Sequence, residues 1–121
     1  MTDLSTLAAR VEGAGEGSRE LDAEIDWTIA GIRGIKPQPN HYGDVAGFWR
    51  ETANGPLRES PRYTGSIDAA MTLAADLGGQ VTFFRDGTAK AFLWQPYPLA
   101  VEVRAATPAL ALTAAALKAR A

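Results

Sequence analysis

A chain of 121 residues with no cysteine, a single histidine and a formal charge of −2 lacks the raw material for several functions. Disulfides, thiol catalysis and thiolate metal sites all require cysteine, and a zinc site resting on His41 and carboxylates alone is an uncommon construction. General nucleic-acid binding needs a concentrated basic footprint that this balance does not supply.

The length and the 46% hydrophobic content fit one domain, 1–121, with a core of its own. Charge is uneven along it. Residues 1–33 hold three Arg against seven Asp/Glu, a net of −4, which leaves +2 of the total −2 for residues 34–121. The longest apolar run, 105–117, is shorter than the roughly 20 residues of a membrane span. Met1-Thr-Asp-Leu4 lacks the basic-then-apolar order of a secretory signal, so the expectation is a cytoplasmic protein with no membrane partner.

In chain order, Thr2 or Asp3 can cap a first helix, in which Leu4, Leu7, Ala8 and Val11 share one face. Gly13-Ala-Gly-Glu-Gly17 breaks it. Ser18 caps a second helix with a stripe of Leu21, Ile25, Ile29 and Ile32, and the two should form an antiparallel pair over residues 1–33 with a shared seam. The acidic residues Glu20, Asp22, Glu24 and Asp26 are spread around the second helix and read as a solvated face complementing its dipole. Residues 34–62, with four prolines, form the irregular part; Asp44 could cap one or two helical turns through 45–53, since Val45, Phe48 and Trp49 fall on one helical face.

From residue 63 the signals sharpen. Ser66 is an N-cap for a helix from Ile67 to about Leu77, with Gly78-Gly79 as its stop. The period then changes to two over Val81–Arg85 and Thr88–Gln95, joined by Asp86-Gly87, the preferred pair for a two-residue type I′ turn. That turn sets Arg85 opposite Thr88, Phe84 opposite Ala89, Phe83 opposite Lys90 and Val81 opposite Phe92. Pro96-Tyr-Pro98 leads to a third strand near Leu99–Arg104. Thr107 caps a closing helix with Pro108 at its first position, and Lys118 and Arg120 suit its C-terminal end.

The register expected from the turn places Thr82, Phe84, Ala89, Ala91 and Leu93 on one face, and Val81, Phe83, Phe92 and Trp94, with Arg85 and Lys90, on the other. Two apolar faces both require cover. The expected fold is therefore α+β: a three-layer α/β/α sandwich around a small antiparallel sheet of about three strands, with helices on both faces. Ala109 to Leu117 leave the closing helix almost no polar side, as a helix buried on several sides requires. Self-association through that helix or the open sheet face is the other way to cover the surface.

The segments Tyr63-Thr-Gly-Ser-Ile-Asp-Ala-Ala-Met-Thr-Leu73 and Ala106-Thr-Pro-Ala-Leu-Ala-Leu-Thr-Ala-Ala-Ala-Leu117, on either side of the Asp86-Gly87 turn, resemble the phage ABA sandwich domain of small phage and prophage proteins. The resemblance covers residues 63–121, close to half of the chain. It implies the three-layer fold and the cytoplasm of a phage-infected or lysogenic bacterial host. A cysteine common in the family's last helix is Thr113 here, so a role carried by that cysteine does not transfer. The family has no agreed catalytic residues, and none is carried over.

Chemistry-bearing residues gather in the central segment. His41, Tyr42, Trp49, Arg50, Arg58, Arg62 and Tyr63, together with Trp94 on the sheet, supply flat aromatic surfaces and guanidinium groups suited to stacking on a ring and holding phosphate or carboxylate. Anchoring a long connection to the core is the competing role for the aromatics. No Ser sits in a nucleophile elbow, and Gly13-x-Gly-x-Gly17 follows a helix, unlike phosphate-binding glycine loops. The expectation is a non-enzymatic phage or prophage accessory protein, without cofactor or metal, that acts by binding, its candidate partners being a small nucleotide-like ligand or a host protein and its sharpest form the sequestration of a nucleotide-derived host immune signal. The alternatives are an interaction or inhibitor module docking on a host or phage protein or a second copy, and, least favoured, a metal-dependent enzyme.

Overall fold

A computed structural model describes residues 3–30, 36–39, 45–52, 55–59 and 61–121, the three stretches between 36 and 59 as backbone. Asp3 caps α1 (Leu4–Gly13), its carboxylate accepting from the Thr6 N–H at 2.8 Å. Ser18 caps α2 (Arg19–Ala30) through its hydroxyl oxygen and the Leu21 N–H at 3.1 Å. The glycine-rich link between them is a turn, and Gly17 is required there. A Cβ on it would lie 2.4 Å from the Thr64 carbonyl oxygen, so only glycine allows the two backbones to approach.

Where the central segment is described between residues 36 and 59, it is strand and holds no helix. It forms β1 (Lys36–Pro39), β2 (Val45–Thr52) and β3 (Gly55–Glu59), an antiparallel sheet with β2 in the middle. Residues expected to be helical over 45–53 are thus the central strand. Gly47 is a poor helix former, Phe48, Trp49 and Thr52 are good strand formers, and pairing on both sides outweighs a weak helical spacing.

Next, α3 (Ile67–Leu73) is capped by Ser66, but stops a turn earlier than its spacing suggests. The Gly78-Gly79 pair expected as its stop instead opens β4 (Gly78–Phe83). With β5 (Ala89–Gln95) and β6 (Val101–Ala105) it makes a second antiparallel sheet in the order β4-β5-β6. Between β5 and β6 the chain passes through Pro96 and Pro98, each after a cis peptide bond. Finally, α4 (Pro108–Arg120) starts at the Thr107 cap with Pro108 in its first turn.

The β4–β5 hairpin keeps its place but not its expected register. The Gly87 N–H donates to the Phe84 carbonyl at 3.1 Å and the Phe84 N–H to the Thr88 carbonyl at 3.0 Å, with Gly87 at φ +88°. This is a three-residue loop closed by a left-handed glycine, not a two-residue turn. One extra loop residue slips the ladder by one, so Phe83 opposes Ala89 and Val81 opposes Ala91. Val81 and Phe83 therefore change faces and join Ala89, Ala91 and Leu93.

The chain is α+β with helices packed on an antiparallel sheet, as expected. From Ala109 through Leu117 every residue of α4 is buried. It lies on the Ala89–Ala91–Leu93 face, with Val103 and Ala105 beside it, and α1 and α3 pack against α4 in turn. The alanines let these elements approach closely, while Leu110 and Leu117, fully buried, each contribute about 1.5–3 kcal/mol of burial. The N-terminal helices share this core, but α1 rests chiefly on α4, not on α2. Lys118 reaches Glu12 at 2.7 Å, and Arg120 donates to the Leu73 carbonyl at 3.2 Å, closing the C-terminal end of α3. Among the described elements α1, α3 and α4 gather on this side of the second sheet while α2 neighbours β2 of the first, and the face bearing Lys90, Phe92 and Trp94 is partly exposed.

Candidate functional site

Three places in the fold concentrate chemistry. The first is polar and closed. Asp22 and Asp26 are each only 1% exposed, so the acidic residues of α2 do not form one solvated face. Asp22 Oδ1 accepts from the Thr64 N–H at 2.8 Å and hydroxyl at 2.7 Å, while Oδ2 accepts from Arg19 at 2.6 Å. The Thr64 hydroxyl oxygen accepts the Ser18 N–H at 2.9 Å. One residue earlier, the Tyr63 carbonyl accepts from the Thr113 hydroxyl at 2.8 Å. These bonds tie α2 to the 61–66 loop, and the Thr113 bond ties that loop to α4. A buried carboxylate held this way is a structural anchor.

The second is an apolar groove of about 420 Å³ between α3 and β4, lined by Ile67, Met71, Leu77, Val81, Phe83 and Leu93, among others. It continues past Ile67 and Phe83 into a cleft of about 330 Å³ at the start of α4, by Thr64, Thr107 and Pro108. Two large side chains along it are solvent-facing: Met71 is 58% exposed and Phe83 71%. Among the described residues β4 is an edge strand, so its outer side offers main-chain groups to a partner beside the groove. The two-residue turn expected from the sequence put Phe83 on the opposite face of the sheet, away from this groove.

The third is the open face of β4-β5-β6. Phe92 and Trp94 stand with ring centroids 5.3 Å apart and planes inclined at 34°, Trp94 being 38% exposed. Lys90 pairs with Glu102 at 3.1 Å. At the hairpin end the Arg104 guanidinium lies 4.2 Å above the Phe84 ring and 3.3 Å from Asp86. Hydrogen bonds from the Thr88 hydroxyl, at 2.6 Å, and its N–H, at 3.0 Å, hold the Asp86 carboxyl below its ordinary pKa.

The described residues of the expected ligand site are spread over two sheets and the 61–66 loop. His41 and Tyr42 lie outside the described residues. Arg50 and Arg58 are direct register partners across β2 and β3, with Trp49 paired to Lys36 on one side and Glu59 on the other. That sheet neighbours α2, whereas Trp94 belongs to the other sheet. Arg62 is exposed, but its neighbour Tyr63 is buried in the core. Among the described residues no group of three His, Asp or Glu side chains gathers as a metal site would require, and no helix is long and apolar enough to cross a membrane. No protein-family model, curated protein or solved structure matches the chain.

Proposed function

We propose that this chain is a non-enzymatic interaction module that docks on another polypeptide through the α3–β4 groove and the adjoining edge of β4. The carrying observation is the exposure of Met71 and Phe83 beside an edge strand, around an apolar groove. Exposed apolar side chains that line one groove, unlike scattered ones, favour a binding surface. An edge strand adds main-chain hydrogen bonds to whatever apolar contact the groove supplies. The resemblance of residues 63–121 to the phage ABA sandwich domain suggests a phage or host protein as the setting for such contact.

A photo-crosslinking side chain placed at Met71 tests the reading in lysate of the natural host or the expression strain, with the same group placed at Glu102 on the open sheet face as control. The expected result is a polypeptide adduct from Met71 alone. No adduct, or equal labelling from both positions, would count against the groove.

A second reading is binding of a planar, nucleotide-like ligand, favoured by the Phe92–Trp94 pair on the open face with Lys90 beside it. Aromatic rings and nearby cations suit base stacking and phosphate contact. Calorimetric titration with linear and cyclic nucleotides checks it: heat that disappears in Trp94→Ala supports the reading, and no heat from wild type rejects it for those ligands.

A further inference from the structure

We propose that the occupant of the β4 edge is a second copy of this chain, paired antiparallel β4 to β4 about a two-fold axis at Val81, so that two three-stranded sheets become one of six strands. The inference rests on the groove being a docking surface and names what docks there.

The orientation of β4 follows from its hairpin. The Phe84 N–H donates to Thr88 across the hairpin, so Phe84 turns its main-chain groups toward the β5 side. Alternation along an antiparallel ladder turns Thr82 the same way and leaves the N–H and C=O of Val81 and Phe83 facing outward. Among the described residues no strand pairs with that side.

Charge favours a second copy. A two-fold axis sets each residue of an edge against a residue of the same edge, so a charged edge meets its own sign again. β4 reads Gly78-Gly-Gln-Val-Thr-Phe83 and carries neither a charge nor a proline, the usual devices that keep edges apart. The opposite edge, β6, carries Glu102 and Arg104.

Shape points the same way. With Val81 on the axis, Phe83 stands opposite Gly79 of the second copy, on the face shared with α3. A large exposed side chain then meets a position that has none, and it does so twice by symmetry. Gly79 cannot itself be enlarged, because a Cβ there would lie 2.1 Å from the Phe92 carbonyl oxygen. Met71 extends the apolar contact from α3.

The test is light scattering of the full chain over a dilution series, with Val81→Pro and Phe83→Glu alongside. Val81→Pro deletes an outward N–H without touching the β5 ladder, and Phe83→Glu puts a charge at the seam from an exposed position. The expected result is a wild-type mass of two chains that falls to one on dilution, with both variants at half that mass and unchanged circular dichroism. Amides of Val81 and Phe83 should also exchange more slowly in the concentrated sample. If Val81→Pro fails to fold, Phe83→Glu decides alone. A wild type of single-chain mass at every concentration overturns the self-pairing while leaving the groove to the Met71 crosslink. A two-chain mass retained by the folded variants overturns it as well.

Discussion

Asp22 and Thr64, 42 positions apart in the chain, are joined twice through one carboxylate oxygen, which accepts both the main-chain N–H and the hydroxyl of the threonine. Both residues are 1% exposed, and Arg19 takes the second oxygen. Removing the carboxylate therefore deprives the buried Thr64 N–H of its acceptor and takes the ion-pair partner of Arg19 Nη1 away from a partly buried guanidinium. Asp22→Ala should lose about 3 kcal/mol, as expected when one partner of a buried charged network is removed. Urea unfolding followed by far-ultraviolet circular dichroism measures it, and a loss under about 1 kcal/mol would place the anchor elsewhere.

The Thr113 hydroxyl separates hydrogen bonding from packing. Its donation to the Tyr63 carbonyl occurs where both residues are buried. Thr113→Val keeps the volume and takes this donor from a buried carbonyl, costing about 1–3 kcal/mol. Thr113→Ser keeps the donor and removes one methyl, costing roughly 1 kcal/mol. Valine should thus be the more damaging change in the same unfolding assay; the reverse order would show that the methyl matters more than the bond.

Asp86 gives the hairpin a pH dependence of known sign. Its pKa is lowered from the ordinary 3.8, first by the Thr88 hydroxyl, then by the Thr88 N–H, with Arg104 contributing less. A folded-state pKa below the unfolded one means stabilisation that is complete above the ordinary value and lost as pH falls through the depressed one. Carboxyl carbon titration by NMR should show Asp86 of Thr88→Val moving up toward 3.8, and a smaller upward move in Arg104→Gln. An unchanged Asp86 in Thr88→Val would remove the hydroxyl as the main cause.

Helix α4 should tolerate loss of its charges better than growth of its alanines. Ala115 is fully buried, and Ala115→Leu must displace its neighbours at a cost of about 1–3 kcal/mol or more. Lys118 and Glu12 are each more than a third exposed, so Lys118→Ala should cost under about 1 kcal/mol. Thermal melting of the two variants compares them directly.

Met71 and Phe83 face solvent, so Met71→Ser combined with Phe83→Ser should leave the stability of the lone chain within about 0.5 kcal/mol per site. A much larger loss in dilute solution would mean that these side chains serve the core rather than a partner.

Local chemistry made much of the second half of the chain legible. Ser66 and Thr107 cap helices because a side-chain oxygen beside an apolar-periodic run has few other roles, and both bonds are present. The almost wholly apolar run 109–117, broken only by Thr113, announced a helix enclosed on several sides, and the Asp86-Gly87 pair announced a hairpin. The candidate ligand residues were legible only as a list. Trp49, Arg50 and Trp94 carry suitable groups, but proximity in sequence does not decide that two of them fall on one sheet and the third on another.

The sequence by itself determined the α+β class, the capped helices and the hairpin's position, because each depends on forces acting within a few residues. Only the tertiary structure decided that 45–52 is a strand, since its partners β1 and β3 supply the hydrogen bonds that override local spacing. It also decided that Asp22 is buried, because its partner Thr64 arrives from a distant loop. One additional residue in the hairpin loop, a matter of a left-handed Gly87, turned Phe83 onto the helix-bearing face beside the β4 edge. A side-chain period of two converts a single-residue slip into a complete exchange of faces, and composition carries no record of that slip.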